Sequence, residues 1–253
     1  MPKRKILITN DDGIYGPGLK ALERALAKFA DVFVIVPDQE RSTASHSLTL
    51  HKPLRVRQIS KRTYILNGTP ADCARFGLLH LLSGRMDLVV SGINSGLNLG
   101  EDVIYSGTVA AAVEATMIGV PAIAVSRTPE ANPAAFSGAA EIAARVAKGV
   151  LRHGLPEGIT LNVNVPSGKR NGTSGIKGCR VTHLGHRLYG KKVTMRSDPR
   201  GHRYYWLLAK NVQGVPTPGS DVESFEQGYA TITPIGLDWT AVQYLADLKK
   251  WKI

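Results

Sequence analysis

Long apolar runs are missing from this sequence of 253 residues, and none approaches the roughly 18 residues that a membrane-spanning helix needs. The first residues, MPKRKILITN, are basic but lack the apolar core and cleavage site of a signal peptide. The two cysteines, Cys73 and Cys179, are too few for a disulfide framework. We therefore expect a cytoplasmic protein with free thiols and no membrane contact.

Acidic residues are almost absent from residues 168–210. This segment holds eleven Lys and Arg but one acid, Asp198, and it contributes +10 to a net charge of +12. Such a concentrated positive field attracts anions, including nucleotides, polyphosphate and nucleic acid. A solvated basic hairpin without a special role is the plainer alternative.

Short apolar stretches alternate with helical patterns over the first two thirds of the chain. Strands are predicted at 5–9, 32–37, 63–67, 87–92, 122–126 and 159–166. Helices are predicted after residue 19, after Thr69, at 106–119 and at 136–152. Because most of these strands are apolar on both faces, they predict a mostly parallel sheet covered on both sides. The expected fold is a Rossmann-like three-layer α/β/α sandwich.

The pattern changes after Pro166. Residues 168–215 have the short alternating stretches and turns of antiparallel strands, and a short helix, a strand and a terminal helix are predicted beyond them. We therefore divide the chain into a Rossmann-like core, 1–167, and an extension, 168–253. The extension is β-rich and carries the C-terminal segment.

Polar side chains follow three of the predicted strands. The first strand lacks the GxGxxG turn of a dinucleotide site. Because ligands bind at the carboxyl ends of strands in doubly wound sheets, we expect these side chains to face one crevice. They are Asn10, Asp11 and Asp12 after the first strand, Asp38 and Ser42 after the second, and Ser91, Asn94 and Asn98 after the fourth.

Asp11 and Asp12 repel one another unless a cation offsets their charge. Two carboxylates with neutral Ser and Asn oxygens favour Mg²⁺, Mn²⁺ or Ca²⁺ over zinc. Adjacent residues of a straight strand point to opposite faces, so both acids can converge only if the chain bends, which Gly13 permits. An ordinary Asp-Gly turn is the alternative.

A small hydroxyl-rich turn, Ser106-Gly107-Thr108, leads into the Ala-rich helix. Free N–H groups at a helix N-terminus suit a phosphate, and Gly107 allows close approach of the backbone. Ordinary capping by Ser106 or Thr108 explains the same residues.

The chain resembles the SurE family of survival protein E nucleotidases in five successive stretches: ILITNDDGIYGPGL, VPDQERSTASHSLT, NGTPADCARFGL, DLVVSGINSGLNLGEDVIYSGTVAAAVEA and GYATITPIGLD. The resemblance implies a metal-dependent phosphatase that acts on nucleoside 5′- and 3′-monophosphates, and in some members on short polyphosphate. It implies one divalent ion per subunit, Mg²⁺ or Mn²⁺. The implied ligands are Asp11, Asp12, Ser42 and Asn94, with phosphate near Asn98 and Ser106-Gly107-Thr108.

The resemblance also implies homodimers or homotetramers that exchange C-terminal segments. The expected nucleophile is a metal-bound water, with Asp11 or Asp12 orienting or deprotonating it. A phosphatase that forms an aspartyl-phosphate is a rival reading, although such enzymes usually carry acids one residue apart. A second rival is nucleic-acid binding through 168–210, where Tyr204, Tyr205 and Trp206 could stack on bases.

Overall fold

The computed structural model describes residues 3–82, 86–167, 175–207 and 212–251. The predicted basic segment lies partly outside these ranges, at 168–174 and 208–211. The strands are β1 (Arg4–Thr9), β2 (Ala30–Pro37), β3 (Val56–Ser60), β4 (Thr63–Leu66), β5 (Leu88–Ser95), β6 (Ala122–Arg127), β7 (Ile159–Val165), β8 (Cys179–Val181), β9 (His186–Leu188), β10 (Val193–Ser197), β11 (Arg203–Leu207), β12 (Gln213–Val215) and β13 (Ala230–Gly236).

The helices flank these strands. The α-helices are α1 (Leu19–Ala27), α2 (Pro70–Phe76), α3 (Asp102–Tyr105), α4 (Gly107–Met117), α5 (Ser137–His153), α6 (Asp221–Glu226) and α7 (Leu245–Leu248). A π-turn (Gly77–Leu81) extends α2, and short 3₁₀ turns precede α5 and α7. None of the helices in the described ranges is long and apolar enough to cross a membrane.

Nine strands form one sheet in the order β3-β4-β2-β1-β5-β6-β7-β13-β8. The run from β4 to β7 is parallel throughout, as the doubly apolar strands predicted. β3 and β13 pair antiparallel with their neighbours β4 and β7. β3 was not predicted, because its five residues are all exposed and VRQIS shows no buried face.

Two apolar clusters lie on opposite faces of the sheet. One packs α1 and α5 against side chains such as Ile6 and Ile8. The other packs α2 and α4 against Leu7 and Ile35. Alternate residues of β1 thus face opposite layers, which confirms the predicted three-layer α/β/α class.

The sheet crosses the predicted division at residue 167. β8 and β13 belong to the predicted extension, yet they complete the main sheet beyond β7. The remaining strands of the extension form two small antiparallel pairs, β10-β11 and β9-β12. Within the residues described up to 251, the predicted terminal helix consists of a 3₁₀ turn (Val242–Tyr244) and the short α7.

Candidate active site

The central strands bring three polar loops to one edge of the sheet. β1 pairs with β2 on one side and with β5 on the other, so the residues after these strands become neighbours. The backbone N–H of Arg41, in the loop after β2, donates to the carbonyl oxygen of Asp11 at 2.8 Å. The predicted crevice therefore exists at the carboxyl edge of the sheet.

Asn10 closes a tight turn directly after β1. Its side-chain nitrogen donates to the Gly13 carbonyl at 2.9 Å, and its side-chain oxygen accepts from the Gly13 N–H at 3.0 Å. Gly13 has a φ of 77°, a value that L side chains rarely adopt. Asn10 is therefore a structural residue that shapes the bend carrying the two acids.

Asp11 is buried, with 5 % of its surface exposed. The Thr108 hydroxyl donates to Asp11 Oδ1 at 2.5 Å. Burial raises the pKa of Asp11 even though this hydrogen bond opposes it. Gly107 packs beside the same carboxylate, since a Cβ there would lie 3.1 Å from Asp11 Cβ.

The carboxylate of Asp12 indicates a missing partner more clearly than that of Asp11. Burial, then the charge of Asp11, then that of Glu40 raise the pKa of Asp12 to about 7. Its Oδ2 is buried and meets no hydrogen-bond donor among the described residues. A buried carboxylate oxygen left this way is costly, and a divalent cation would satisfy it.

Glu40 is a third acid at this edge, and its solvent-exposed position in a loop gave no sequence signal. Ser42 donates its hydroxyl to Glu40 Oε1 at 2.6 Å. Across the crevice, the Asn94 amide nitrogen donates to the Gly96 carbonyl at 3.1 Å. These contacts hold Ser42 and Asn94 beside the acids.

The donor set fits a hard cation only if neutral oxygens take part. The described residues contain no group of three or more His, Cys, Asp and Glu side chains able to hold a metal ion. Asp11, Asp12, Ser42 and Asn94 supply two carboxylates, a hydroxyl and an amide oxygen. This all-oxygen set suits Mg²⁺ or Mn²⁺ better than zinc.

A cavity of about 1010 Å³ opens over these residues. Five predicted site residues line it: Asp11, Ser42, Asn94, Asn98 and Ser106. The other three, Asp12, Gly107 and Thr108, lie next to Asp11 in the chain or contact it. The structure thus groups all the predicted residues at one place.

Asn98 is held by a buried polar network that sequence reasoning missed. Its N–H donates to Asn164 Oδ1 at 2.8 Å, and its carbonyl accepts from Asn162 at 2.7 Å and from Asn164 at 3.0 Å. Its own amide nitrogen donates to the Ser126 hydroxyl at 2.7 Å. The alternation in ITLNVNVP, which places two asparagines on one face of β7, is the signal that could have found it.

Ser106, in the turn before α4, has two observed features. Ser106 caps the helix, since its hydroxyl accepts from the Val109 N–H at 3.1 Å. Ser106 also lines the cavity at the N-terminal end of an 11-residue helix. The Thr108 hydroxyl donates to Asp11, and this hydrogen bond orients the carboxylate.

A buried glutamate in the middle of α4 anchors the loop that carries Ser42. Glu114 is 1 % exposed, and its two oxygens bind His46 at 2.8 Å and Arg75 at 2.7 Å. The hydrogen bond from His46, then that from Arg75, hold the pKa of Glu114 below its usual range against the effect of burial. His46 therefore serves as an anchor of the loop.

The basic segment forms the opposite wall of the cavity. Arg187, Tyr189, Lys191 and Lys192 line it together with Tyr105. Part of the positive charge noted in the sequence thus lies beside the acids. In the sequence, the positive charge of the segment was the one sign that it binds an anion. Its residues lie some 90 positions after the loop of Asn94 and Asn98, so no local pattern connects the two.

A family model for survival protein SurE matches residues 6–191. This chain belongs to the SurE family. Its relatives include the 5′-nucleotidase SurE of Geotalea daltonii, 46 % identical over 249 residues that cover 98 % of this chain and 99 % of that one. That of Pelobacter propionicus is 45 % identical over 246 residues, which cover 97 % and 98 %.

A solved structure of a SurE protein, from Aquifex aeolicus, matches this chain with a TM-score of 0.83 and 38 % identity. The match covers 97 % of this chain and 98 % of that one. The predicted SurE family and the predicted fold class are both confirmed. The roles of the individual site residues stay predictions.

Proposed function

We propose that this SurE protein is a divalent-metal-dependent phosphomonoesterase that converts nucleoside 5′- and 3′-monophosphates to nucleoside and phosphate. One observation carries the proposal: the buried, unpartnered Asp12 Oδ2 lies beside Asp11 at the edge of a cavity with a basic wall. Family membership and relatives named 5′-nucleotidase support it.

We assign one divalent ion per subunit, Mg²⁺ or Mn²⁺, to Asp11, Asp12, Ser42 and Asn94. Such an ion, when bound, supplies positive charge that polarises the phosphoryl group and acidifies water. The chain's own contribution is to hold the two carboxylates close together, although burial raises the pKa of both and the charge of an ion would be needed to favour their ionised forms. The Thr108 hydroxyl orients Asp11 through a hydrogen bond, and the hydrogen bonds between Asn10 and Gly13 hold the turn in which Asp12 lies.

The chain's residues then act on the substrate in three ways. The carboxylate of Asp11 or Asp12 accepts a hydrogen bond from the attacking water and orients it, through an oxygen that does not hold the ion. Asn98 and the N–H groups at the start of α4 steady the charge of the phosphoryl group. The basic wall raises the local concentration of anionic substrate.

The test is phosphate release from a panel of nucleoside 5′- and 3′-monophosphates and short polyphosphate, with the full-length protein. EDTA should abolish the release, and Mg²⁺ or Mn²⁺ should restore it. Activity that survives chelation contradicts the proposal. A phospho-enzyme trapped in a single turnover would instead support nucleophilic attack by one of the acids.

We further propose that the protein assembles as a homodimer or homotetramer with exchanged C-terminal segments. Large apolar side chains of the terminal segment are exposed in the single chain, among them Trp239 at 80 % and Trp251 at 64 %. Patches of this kind usually mark interfaces. Light scattering of the wild type and of Trp251→Glu tests this, and a monomeric wild type contradicts it.

A further inference from the structure

The cavity is larger than a phosphate group needs. Its volume of about 1010 Å³ lies at the upper end of the roughly 300–1,000 Å³ that holds a drug-sized ligand. Asp11 and Asn94 occupy one side, and Arg187 and residues 189–193 with Tyr105 occupy the other. A phosphate bound at the acids therefore leaves room beside the second wall for the rest of a substrate.

That second wall contains two aromatic rings. The Tyr105 and Tyr189 ring centroids lie 6.2 Å apart, and the rings meet edge to face at 78°. Both residues line the cavity, and Tyr105 is more than half exposed. Aromatic side chains stack on nucleobases with little preference among bases, because every base presents a π-face.

Tyr189 is held in place by an acidic residue at the start of α3. Its hydroxyl donates to Asp102 Oδ1. The other oxygen of Asp102 pairs with Arg187 Nε at 3.1 Å, and both of these side chains are largely buried. The preceding Glu101 accepts from the Arg187 backbone N–H at 2.6 Å. These contacts hold residues 187–189 against residues 101–105, which lead to Ser106.

We propose that Tyr105 and Tyr189 form the subsite for the leaving nucleoside, and that Asp102 is the positioning residue that holds Tyr189 there. The inference rests on the proposed nucleotidase function for the reaction. It concerns only the part of the substrate beyond the phosphate. The subsite recognises an aromatic base, so it favours nucleotides over aliphatic phosphate esters.

The experiment compares adenosine 5′-monophosphate with glycerol 2-phosphate, using the full-length protein with added Mn²⁺. Tyr189→Ala should raise KM for the nucleotide about tenfold, the size expected for one lost stacking contact. KM for glycerol 2-phosphate should change less than about twofold on the same reasoning. Tyr204→Ala, which changes an exposed tyrosine of β11 that is not among the residues lining the cavity, is the matched control.

The positioning role has its own variants. Asp102→Ala should raise KM for the nucleotide about fivefold with little change in kcat, because the ring remains but is misplaced. Asp102→Asn keeps an acceptor for the Tyr189 hydroxyl and should restore most of the loss. Asp31→Asn breaks another Asp–Arg pair, with Arg62 at 2.8 Å on the edge of the sheet, and should behave as wild type.

Binding of adenosine 5′-monophosphate to the metal-free protein, measured by calorimetry, separates this inference from the proposed function. Weaker binding by Tyr189→Ala and Tyr105→Ala, with unchanged melting curves, supports the subsite even if no phosphate is released. Equal losses with both esters, or equal nucleotide affinity in wild type and variants, overturn the subsite and leave the proposed function standing.

Discussion

The two walls of the cavity differ in how they are built. The core wall includes Asp11 and Asn98, which are buried at the ends of central strands and accept hydrogen bonds from Thr108 and Asn164. The arm wall consists of Arg187, residues 189–193 and Tyr105. Its Lys191 and Lys192 are exposed and lie between β9 and β10, which belong to two separate two-stranded sheets.

This difference separates two tasks. Chemistry on a phosphoryl group needs groups fixed to within a fraction of an ångström, and the packed sheet supplies that rigidity. Recognition of a variable leaving group tolerates a softer wall, which a surface segment can provide. Changes to the core wall should therefore impair every substrate, while changes to the arm wall should depend on substrate and salt.

The largest effect is expected at the acids. Asp11→Asn and Asp12→Asn should each lower kcat/KM at least a hundredfold, since even partners of metal ligands are worth about 10–100-fold. Each change also removes one of two repelling buried charges, so the melting temperature in EDTA should stay or rise. Phosphate release and melting curves measure both effects, with Asp31→Asn as the control.

Asn164→Ala is a second substitution that should disrupt the core wall. It removes the acceptor for the Asn98 N–H and one donor to the Asn98 carbonyl, and the unsatisfied groups cost about 1–3 kcal/mol. We expect kcat to fall roughly tenfold with both nucleotides and glycerol 2-phosphate. Asn132→Ala, which removes an exposed capping asparagine, should leave both rates unchanged. A loss restricted to nucleotides would contradict the division between the walls.

Glu114→Gln tests the anchor of the Ser42 loop through stability. Hydrogen bonds to a charged group are worth roughly 1.5–3 kcal/mol, so the loss of this charge should lower the melting temperature by about 4–8 °C at pH 7. Because the pKa of Glu114 is lowered in the folded protein, its stabilisation is present above the ordinary glutamate pKa of 4.5.

That stabilisation disappears as the pH falls through the lower folded pKa of Glu114, so the difference between variant and wild type should shrink in acid. Thermal melts between pH 7 and pH 3.5 measure this, with the exposed Glu141→Gln as the control. A difference that grows in acid would show that the charge of Glu114 is not what stabilises the loop.

The smallest effect is expected for the exposed lysines of the arm wall. Lys191→Ala with Lys192→Ala should raise KM for adenosine 5′-monophosphate about twofold to fourfold at low salt, because screened surface charges act weakly. The difference should vanish near 0.5 M salt. Lys28→Ala with Lys61→Ala changes net charge equally on another surface and should have no effect. A loss that persists in high salt would mean direct contact.

Much of the fold and part of the site could be predicted from the sequence. The parallel strands were readable because burial on both faces makes them apolar throughout, and Asp11, Ser42 and Asn94 followed from the rule that loops meet at the carboxyl edge. β3 could not be found this way, since all five of its residues are exposed.

The contacts of the site that the sequence did not predict were missed for a different reason, because the residues that form them lie far apart in the chain. Asp102 and Tyr189 meet across 87 residues, and Asn98 and Asn164 across 66. The alternation in β7 marks the face on which Asn164 lies but not its partner, and the contact of Asp102 with Tyr189 depends on how the extension folds back onto the sheet. The charge of the basic segment indicated an anion, but only the three-dimensional arrangement places that charge beside the acids.

The buried Asp221 carries one more consequence. Its carboxylate accepts from the Gly100 N–H at 3.0 Å and from the Gly185 N–H at 2.7 Å, so it ties the loop of Asn98 to the start of the arm. β13, at residues 230–236, lies farther along the chain still. During synthesis on the ribosome, the acids emerge first but their surroundings stay incomplete until these late residues have left the exit tunnel. The surroundings of the acids are therefore complete only once residues as late as 221–236 have folded onto the sheet.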